Sequence, residues 1–278
     1  MNAKKFIDVD KVIREKNPKL RKRLPGFVFR YLKRILHEDD INEFINSNSH
    51  KYGIDFAEAI IDFFQVNLVV EGLENLPPEG RYVVISNHPL GGLYGIGLIN
   101  TVGHVRKDIL FPVNDLLLHL DNLRDLFIPV NKHGSNKENI ELFDQAFASE
   151  KAILYFPAGM CSRKQKGCIL DLEWKKTIVT KARQHKRDII PVHFTGRNRN
   201  FFYNLANWRK RFGIKGNIEM LYLTDEMFRQ RGKDHLIRFG KPIPWATFNK
   251  DHKDAEWASK LKDYVYRLGN RETKEFNA

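Results

Sequence analysis

The chain has 278 residues with 42% hydrophobic content and 20 Phe, ample material for a packed core and against global disorder. Its 47 basic and 34 acidic residues give a formal charge of +13 and a pI near 9.6, which favours an anionic partner such as anionic lipid, an acidic carrier protein or nucleic acid. No run approaches the roughly 20 apolar residues of a membrane-spanning helix, and MNAKKFIDVDKVIREKN lacks the apolar centre of a signal peptide.

From Lys11 to about Phe64 the pattern is helical. PGFVFRYLKRIL opens with Pro25 and Gly26, DDINEFI with capping-type acids, and IDFAEAIIDFF follows Gly53. The expected organisation is an N-terminal helical, membrane-apposed segment over 1–65 and an α/β domain over 66–278. The change comes at VNLVVEGLENLPPEGRYVVISNH, two β-rich runs around a turn containing Pro77, Pro78 and Gly80. Further β-type runs are KDILFPV, LFIPVN, AILYFPAG, DIIPVHFTG, NIEMLYL and LIRFGKPI, with KENIELFDQAFASE and DLEWKKTIVTKARQH as helical stretches between them. Such alternation predicts a mostly parallel sheet covered by helices on both faces. Ligands of such sheets gather at the carboxyl ends of the strands, which here carry SNHPLGG, PVNK, FPAGMCSRKQKG and HFTGRNRN.

His88 follows an apolar run and precedes Gly91, Gly92 and Gly95, which would let a ligand approach the backbone. A histidine there serves either as a general base, given an orienting partner for its second nitrogen, or as a hydrogen-bonded turn residue. Cys161 and Cys168, with six residues between them in a basic loop, match neither a disulfide framework nor a zinc site and are expected as free thiols. No histidine pair at helical spacing suggests a metal, and GxSxG, GxxxxGK[ST] and HExxH are all missing.

The blocks SNHPLGGLYG, FIPVNK, FPAGMCSRKQKG and IIPVHFTGRN, in that order, resemble the glycerolipid acyltransferases of the lysophosphatidate and glycerol-3-phosphate type. The similarity runs from about Leu20 to Pro244 and is strongest to the bacterial hemolysin-like branch, which includes the O-acyltransferases of ornithine- and glycine-lipid synthesis. It implies a glycerol-3-phosphate acyltransferase-like fold and acyl transfer from acyl carrier protein or coenzyme A thioester to a lyso-lipid hydroxyl, with no cofactor beyond that co-substrate. His88 would be the base, shaped by Asn87, Gly91 and Gly92. Phe156, Pro157, Gly159 and Ser162 would line the substrate site, and Lys132, Arg163 and Lys164 would bind its anionic groups.

The chain departs from that family where a carboxylate normally follows the histidine, because Leu93 and Tyr94 stand there. A phenol can hydrogen-bond an imidazole but, being neutral at pH 7, cannot offset imidazolium charge. Three readings follow, with Tyr94 as the imidazole's partner in the first: a slow enzyme, an enzyme recruiting Asp108, Asp115 or Glu173, or a catalytically silent lipid-binding relative. The second block also lacks the arginine that many relatives direct at phosphate, which suits an acceptor carrying a carboxylate.

A lipid acceptor has to be collected from a bilayer. On a helical wheel, Phe27 and Tyr31 share an apolar side with Leu32 and Ile35, opposite Arg30, Lys33 and Arg34, the pattern of a helix lying on anionic lipid. NFFYNLANWRKRFG repeats the mixture of aromatic and basic residues. The expected location is the cytoplasmic face of the inner membrane, peripherally bound. Nucleic acid is not expected as a partner, since no recognisable module accompanies the aromatic and basic residues.

Overall fold

The structure, a computed structural model, describes residues 5–114, 117–130, 137–272 and 275–276. Five helices, α1 (Val9–Lys16), α2 (Pro18–Arg23), α3 (Gly26–Ile35), α4 (Glu38–Ser47) and α5 (Gly53–Phe64), precede strand β1 (Asn67–Glu71). There follow β2 (Tyr82–Ser86), α6 (Gly92–Val105), β3 (Ile109–Val113), β4 (Phe127–Pro129), α7 (Lys137–Ala148) and β5 (Ala152–Tyr155). The remainder comprises β6 (Arg163–Gln165), β7 (Cys168–Leu170), α8 (Thr177–Gln184), β8 (Asp188–Phe194), α9 (Asn200–Arg211), α10 (Leu223–Phe228), β9 (Asp234–Phe239) and α11 (Asp254–Gly269).

Seven strands form one sheet in the order β1-β9-β8-β2-β5-β3-β4, parallel throughout except where β8 meets β9. β2 is its centre, and all five of its residues are buried. Their side chains alternate between two cores, as strand geometry requires. Tyr82 and Val84 pack with α5 and α6, whereas Val83 and Ile85 pack with α8 and α11. Each buried Val or Ile contributes about 1.5–3 kcal/mol, which is why this run reads as continuously apolar. Parallel pairing of Ile85 with Tyr155 and of Ser86 with Val192 brings the ends of β5, β2 and β8 to one edge.

At the opposite edge the buried Arg187 guanidinium ties the start of β2 to the end of α7. It donates to the carbonyls of Phe147 (2.7 Å), Lys151 (2.8 Å), Tyr82, Ala146 and Ser149. With no carboxylate among these partners, burial lowers its pKa to about 10.

The expected mostly parallel α/β sheet is what forms, with local differences. The change from helix to strand falls near residue 65, yet packing runs across it, because Phe56, Ile60, Ile61 and Phe64 of α5 belong to the same core as β2 and α6. NIEMLYL is not a strand but a 3-10 turn, Ile218–Tyr222, leading into α10. That turn leaves Ile218 and Leu221 exposed together while Glu219 points inward to two arginines. The basic loop contains the β6–β7 hairpin, whose turn residues Lys166 and Gly167 have φ of 48° and 86°, the left-handed pair a two-residue hairpin needs. Of DLEWKKTIVTKARQH only Thr177–Gln184 is helical.

Candidate active site

His88 lies two residues beyond β2, at the edge where β5 and β8 also end. Asn87 fixes this exit. Its side chain donates to the Phe194 carbonyl (3.0 Å) and accepts from the Phe194 N–H (2.8 Å), so one amide side chain extends the β2–β8 pairing. Gly91, at φ 78° and ψ −135°, then turns the chain into α6. That backbone region is essentially restricted to glycine, and a Cβ there would meet Cys161 Sγ at 3.3 Å. At Gly92 a Cβ would meet nothing within 4 Å. α6 therefore starts four residues after His88 with its N-terminal, partly positive end nearest the histidine in the chain.

The His88 backbone is clamped on both sides by the segment around the hairpin. Its N–H donates to Asp171 Oδ1 (3.2 Å), and its carbonyl accepts from the Ser162 N–H (2.8 Å). Asp171 is fully buried. Its carboxylate also accepts from the Ser162 hydroxyl (2.6 Å) and Trp174 Nε1 (2.9 Å). Its own N–H donates to the Tyr266 hydroxyl (2.8 Å), and its carbonyl accepts from Lys262 Nζ (2.7 Å), both on α11. Burial pushes the Asp171 carboxyl up from its usual range, opposed by the hydrogen bonds from Ser162, Trp174 and the His88 N–H. The sequence alone offered no signal for Asp171, Trp174 or Tyr266 as members of the site, since their partners lie up to 95 residues away.

The imidazole of His88 stacks on Phe156 at 4.0 Å between centroids, and Phe111 meets Phe156 edge-on at 5.4 Å. Nδ1 is buried with no hydrogen-bond partner among the described residues, leaving Nε2 as the accessible nitrogen of a partly exposed side chain. Burial, and then the nearby Arg163 guanidinium, lower the pKa to about 3, so the ring is neutral. A neutral imidazole with an open nitrogen offers the lone pair that takes a proton from a hydroxyl, but a pKa so far below 7 makes it a weaker base than an ordinary histidine.

Tyr94, expected beside this ring, is not its partner. Its hydroxyl donates to the Thr195 carbonyl and sits 2.9 Å from His235 Nδ1, while its ring stacks on Phe194 at 4.5 Å. The reason is helical geometry: six residues after His88, Tyr94 faces the sheet core and is fully buried there. The distant acids fare no better. Asp108 is held by Arg106 at 2.5 and 2.7 Å, and Glu173 is exposed. Asp115 and Lys132 lie outside the described residues.

The expected anion binders also change role. Arg163 is buried and directs its guanidinium to the Cys161 carbonyl (3.0 Å) and to Glu219 (3.4 Å), which also holds Arg209 at 2.8 Å. A buried cation already paired is not a free clamp for substrate. Lys164 is half-buried on β6, paired in register with Ile169. Pro157 accepts from the Lys175 N–H (3.1 Å), and a Cβ on Gly159 would lie 3.4 Å from Lys175 Nζ, which brings a cation to this turn that sequence reasoning missed.

The two aromatic and basic segments meet. Tyr31 of α3 hydrogen-bonds the Tyr222 hydroxyl (2.9 Å), and Phe201 of α9 meets the Tyr222 ring edge-on at 4.9 Å. Phe27, Trp208 and Phe212 stay 67%, 67% and 69% exposed. Arg30 and Arg34 border Phe27, Val28 and Tyr31 in a shallow groove. Lys33, however, is engaged by the buried carboxylate of Glu38 at 3.0 Å and is not a free surface cation. No helix among the described residues is long and apolar enough to cross a membrane.

A mostly parallel sheet with a neutral, accessible histidine at the exit of its central strand fits the α/β acyltransferase class. Comparison with protein-family profiles matches residues 11–270 to the Acyltransferase family. The chain belongs to this family. It is 51% identical over 265 residues to the lyso-glycine lipid O-acyltransferase of Bacteroides thetaiotaomicron, covering 95% of this chain and 97% of that one. To the protein of the same name from Phocaeicola vulgatus it is 48% identical over 265 residues, covering 95% of each. The crystal structure of the 1-acyl-sn-glycerophosphate acyltransferase PlsC from Thermotoga maritima shares the fold, with a TM-score of 0.51, 18% identity, and 96% of this chain and 95% of that chain covered.

Proposed function

We propose that the protein is a peripheral membrane O-acyltransferase that moves a fatty acyl group from a thioester donor to the hydroxyl of a lyso-lipid with a glycine headgroup. The observation that carries this is His88 at the exit of the central strand, clamped through its backbone and open at Nε2. Nε2 takes the proton of the acceptor hydroxyl as its oxygen attacks the thioester carbonyl. The tetrahedral intermediate then collapses, the carbon–sulfur bond breaks, and the departing thiolate takes the proton from His88, leaving as the thiol and returning the imidazole to its neutral form. Backbone N–H groups at the start of α6 are the natural donors to the oxyanion, because the helix N-terminus favours developing negative charge.

The names of two relatives at about half identity support the lyso-glycine lipid acceptor. A thioester of acyl carrier protein or coenzyme A is the proposed donor, and the +13 charge suits an acidic carrier or a phosphate-bearing one. The exposed face made by α3, the 218–222 turn and α9 is the proposed membrane contact. The unpartnered Nδ1 favours a slow enzyme over one that recruits Asp108 or Glu173, because no described group selects the tautomer or offsets imidazolium charge.

The test is thioester consumption by the purified chain with acyl carrier protein or coenzyme A thioesters and a lyso-glycine lipid. The parent is expected to acylate the lipid and His88→Ala to lose about 10²–10⁴ of the rate. Equal turnover by the two would remove His88 from the mechanism. Silence of both across donors would leave lipid binding as the activity.

A further inference from the structure

His88 is placed by its backbone more than by its ring. Nδ1 has no partner among the described residues, and the neighbour of the ring is the apolar face of Phe156. The position of the base therefore depends on two backbone clamps, Asp171 on its N–H and the Ser162 N–H on its carbonyl. The second clamp has a support of its own.

The Ser162 N–H and the Cys161 carbonyl belong to one planar peptide unit and point in opposite directions. The carbonyl end accepts from Arg163 Nη1 (3.0 Å), while the N–H end donates to His88 (2.8 Å). Whatever fixes the Arg163 guanidinium thus fixes the tilt of the peptide that holds His88. The guanidinium lies over the Phe202 ring at 5.3 Å, and its Nη2 donates to Glu219 Oε1 (3.4 Å). Glu219 is anchored in turn by Arg209, from Nε to Oε2 at 2.8 Å and from Nη2 to Oε1 at 3.3 Å. Arg163, Ser162 and Glu219 are all buried, where hydrogen bonds in a chain reinforce one another and a lone charge is costly. Among the described residues, Glu219 is the one carboxylate paired with either arginine.

From this chain of contacts we infer that Glu219 is a positioning residue for the acyl transfer: it holds Arg163 against the 161–162 peptide, which holds the His88 carbonyl. The assignment rests on the reading of His88 as the base and extends its support to the turn Ile218–Tyr222. Arg209 supplies the contrast. It shares the carboxylate with Arg163, but its guanidinium turns to the Ile214 carbonyl (3.1 Å) rather than to the clamp. A carboxylate that merely neutralised buried arginines would serve both alike, whereas a positioning carboxylate matters to the reaction through Arg163.

The test compares Glu219→Gln, Arg163→Gln and Arg209→Gln in the full chain by steady-state kinetics and by hydrogen exchange of the Ser162 amide, with folding checked by circular dichroism. Glu219→Gln and Arg163→Gln should lower kcat about tenfold or more with KM within about twofold. Both should speed exchange of the Ser162 amide relative to the amides of β2. Arg209→Gln should lose stability yet keep kcat within about twofold, because Arg163 then has the carboxylate to itself. Glu219→Asp, which keeps the charge but withdraws it by a methylene, should fall between the parent and Glu219→Gln, and it carries the comparison if the glutamine variant does not fold. Unchanged kcat or unchanged Ser162 exchange in folded Glu219 variants overturns the assignment, as does an equal loss of kcat in Arg209→Gln. If the parent acylates nothing, faster Ser162 exchange in the Glu219 variants leaves the positioning standing and sinks the reading of the reaction instead.

Discussion

Asn87 and Asp171 show how His88 is held in place by groups that do not react. Asn87 directs its amide to the backbone N–H and carbonyl of Phe194 while also accepting from the Ser86 hydroxyl, and Asp171 spends one oxygen on the His88 N–H. Asp171 is therefore a positioning residue. Asp171→Asn keeps one acceptor but supplies a donor where Ser162, Trp174 and His88 already donate. It should lower kcat about tenfold, roughly 1.4 kcal/mol of misplacement, with KM little changed. Tyr94→Phe should do the reverse, keeping kcat within about twofold and costing about 1 kcal/mol of stability for the lost bond to Thr195. Steady-state kinetics beside urea unfolding separates the two, and a large kcat loss in Tyr94→Phe would return the phenol to the mechanism. The position of His88 at a strand exit was legible in the sequence because a strand followed by a glycine turn exposes what lies between. Tyr94 was not, since its direction depends on where α6 begins, and Gly91 decides that.

At the scale of elements, the hairpin β6–β7, the 3-10 turn 218–222 and α9 are joined by one buried carboxylate, Glu219, between Arg163 and Arg209. The sequence read Arg163 as a free cation because charge patterns carry no information about partners 56 residues away. The same elements present the aromatic face, and here local reading went further: both amphipathic segments were visible, while their junction through Tyr222 was not. If this face meets lipid, Phe27→Ser combined with Trp208→Ser should weaken sedimentation with phosphatidylglycerol vesicles by about tenfold or more, the order expected from withdrawing two aromatic side chains from an interface. Added salt should weaken the parent's binding too, because Arg30 and Arg34 act through screened charge. Binding that ignores both changes would place the contact elsewhere.

For the whole molecule, acid sensitivity follows from histidines that complete or partial burial keeps neutral. Burial lowers His88 to about 3 and His193 to about 4, and also lowers His185 and His235. Between those values and the ordinary 6.5 the unfolded chain binds more protons than the folded one, so stability rises with pH across this window and is lost as pH falls through it. Unfolding free energy from urea titrations should drop by about 2 kcal/mol or more between pH 7 and pH 5. An equal value at both would mean that these rings are solvated. In the same window His88 stays neutral, so kcat/KM should show no acid limb near 6.5, the position of an ordinary histidine.

What the sequence determined by itself were the properties carried by short-range order: strand and helix alternation, the glycine turn after β2, the amphipathic faces and the ordered blocks that mark the family. Their physical basis is local, in periodicity and backbone freedom, and survives without knowledge of neighbours. Only the tertiary structure decided which charges are spent and which are free. Arg163 and Lys33 are taken by buried carboxylates, Tyr94 by a carbonyl across the sheet, and Asp171 becomes the support of His88. The cost of burying an unpaired polar group favours these pairings, and which groups are buried together is a property of the packed sheet and its helices.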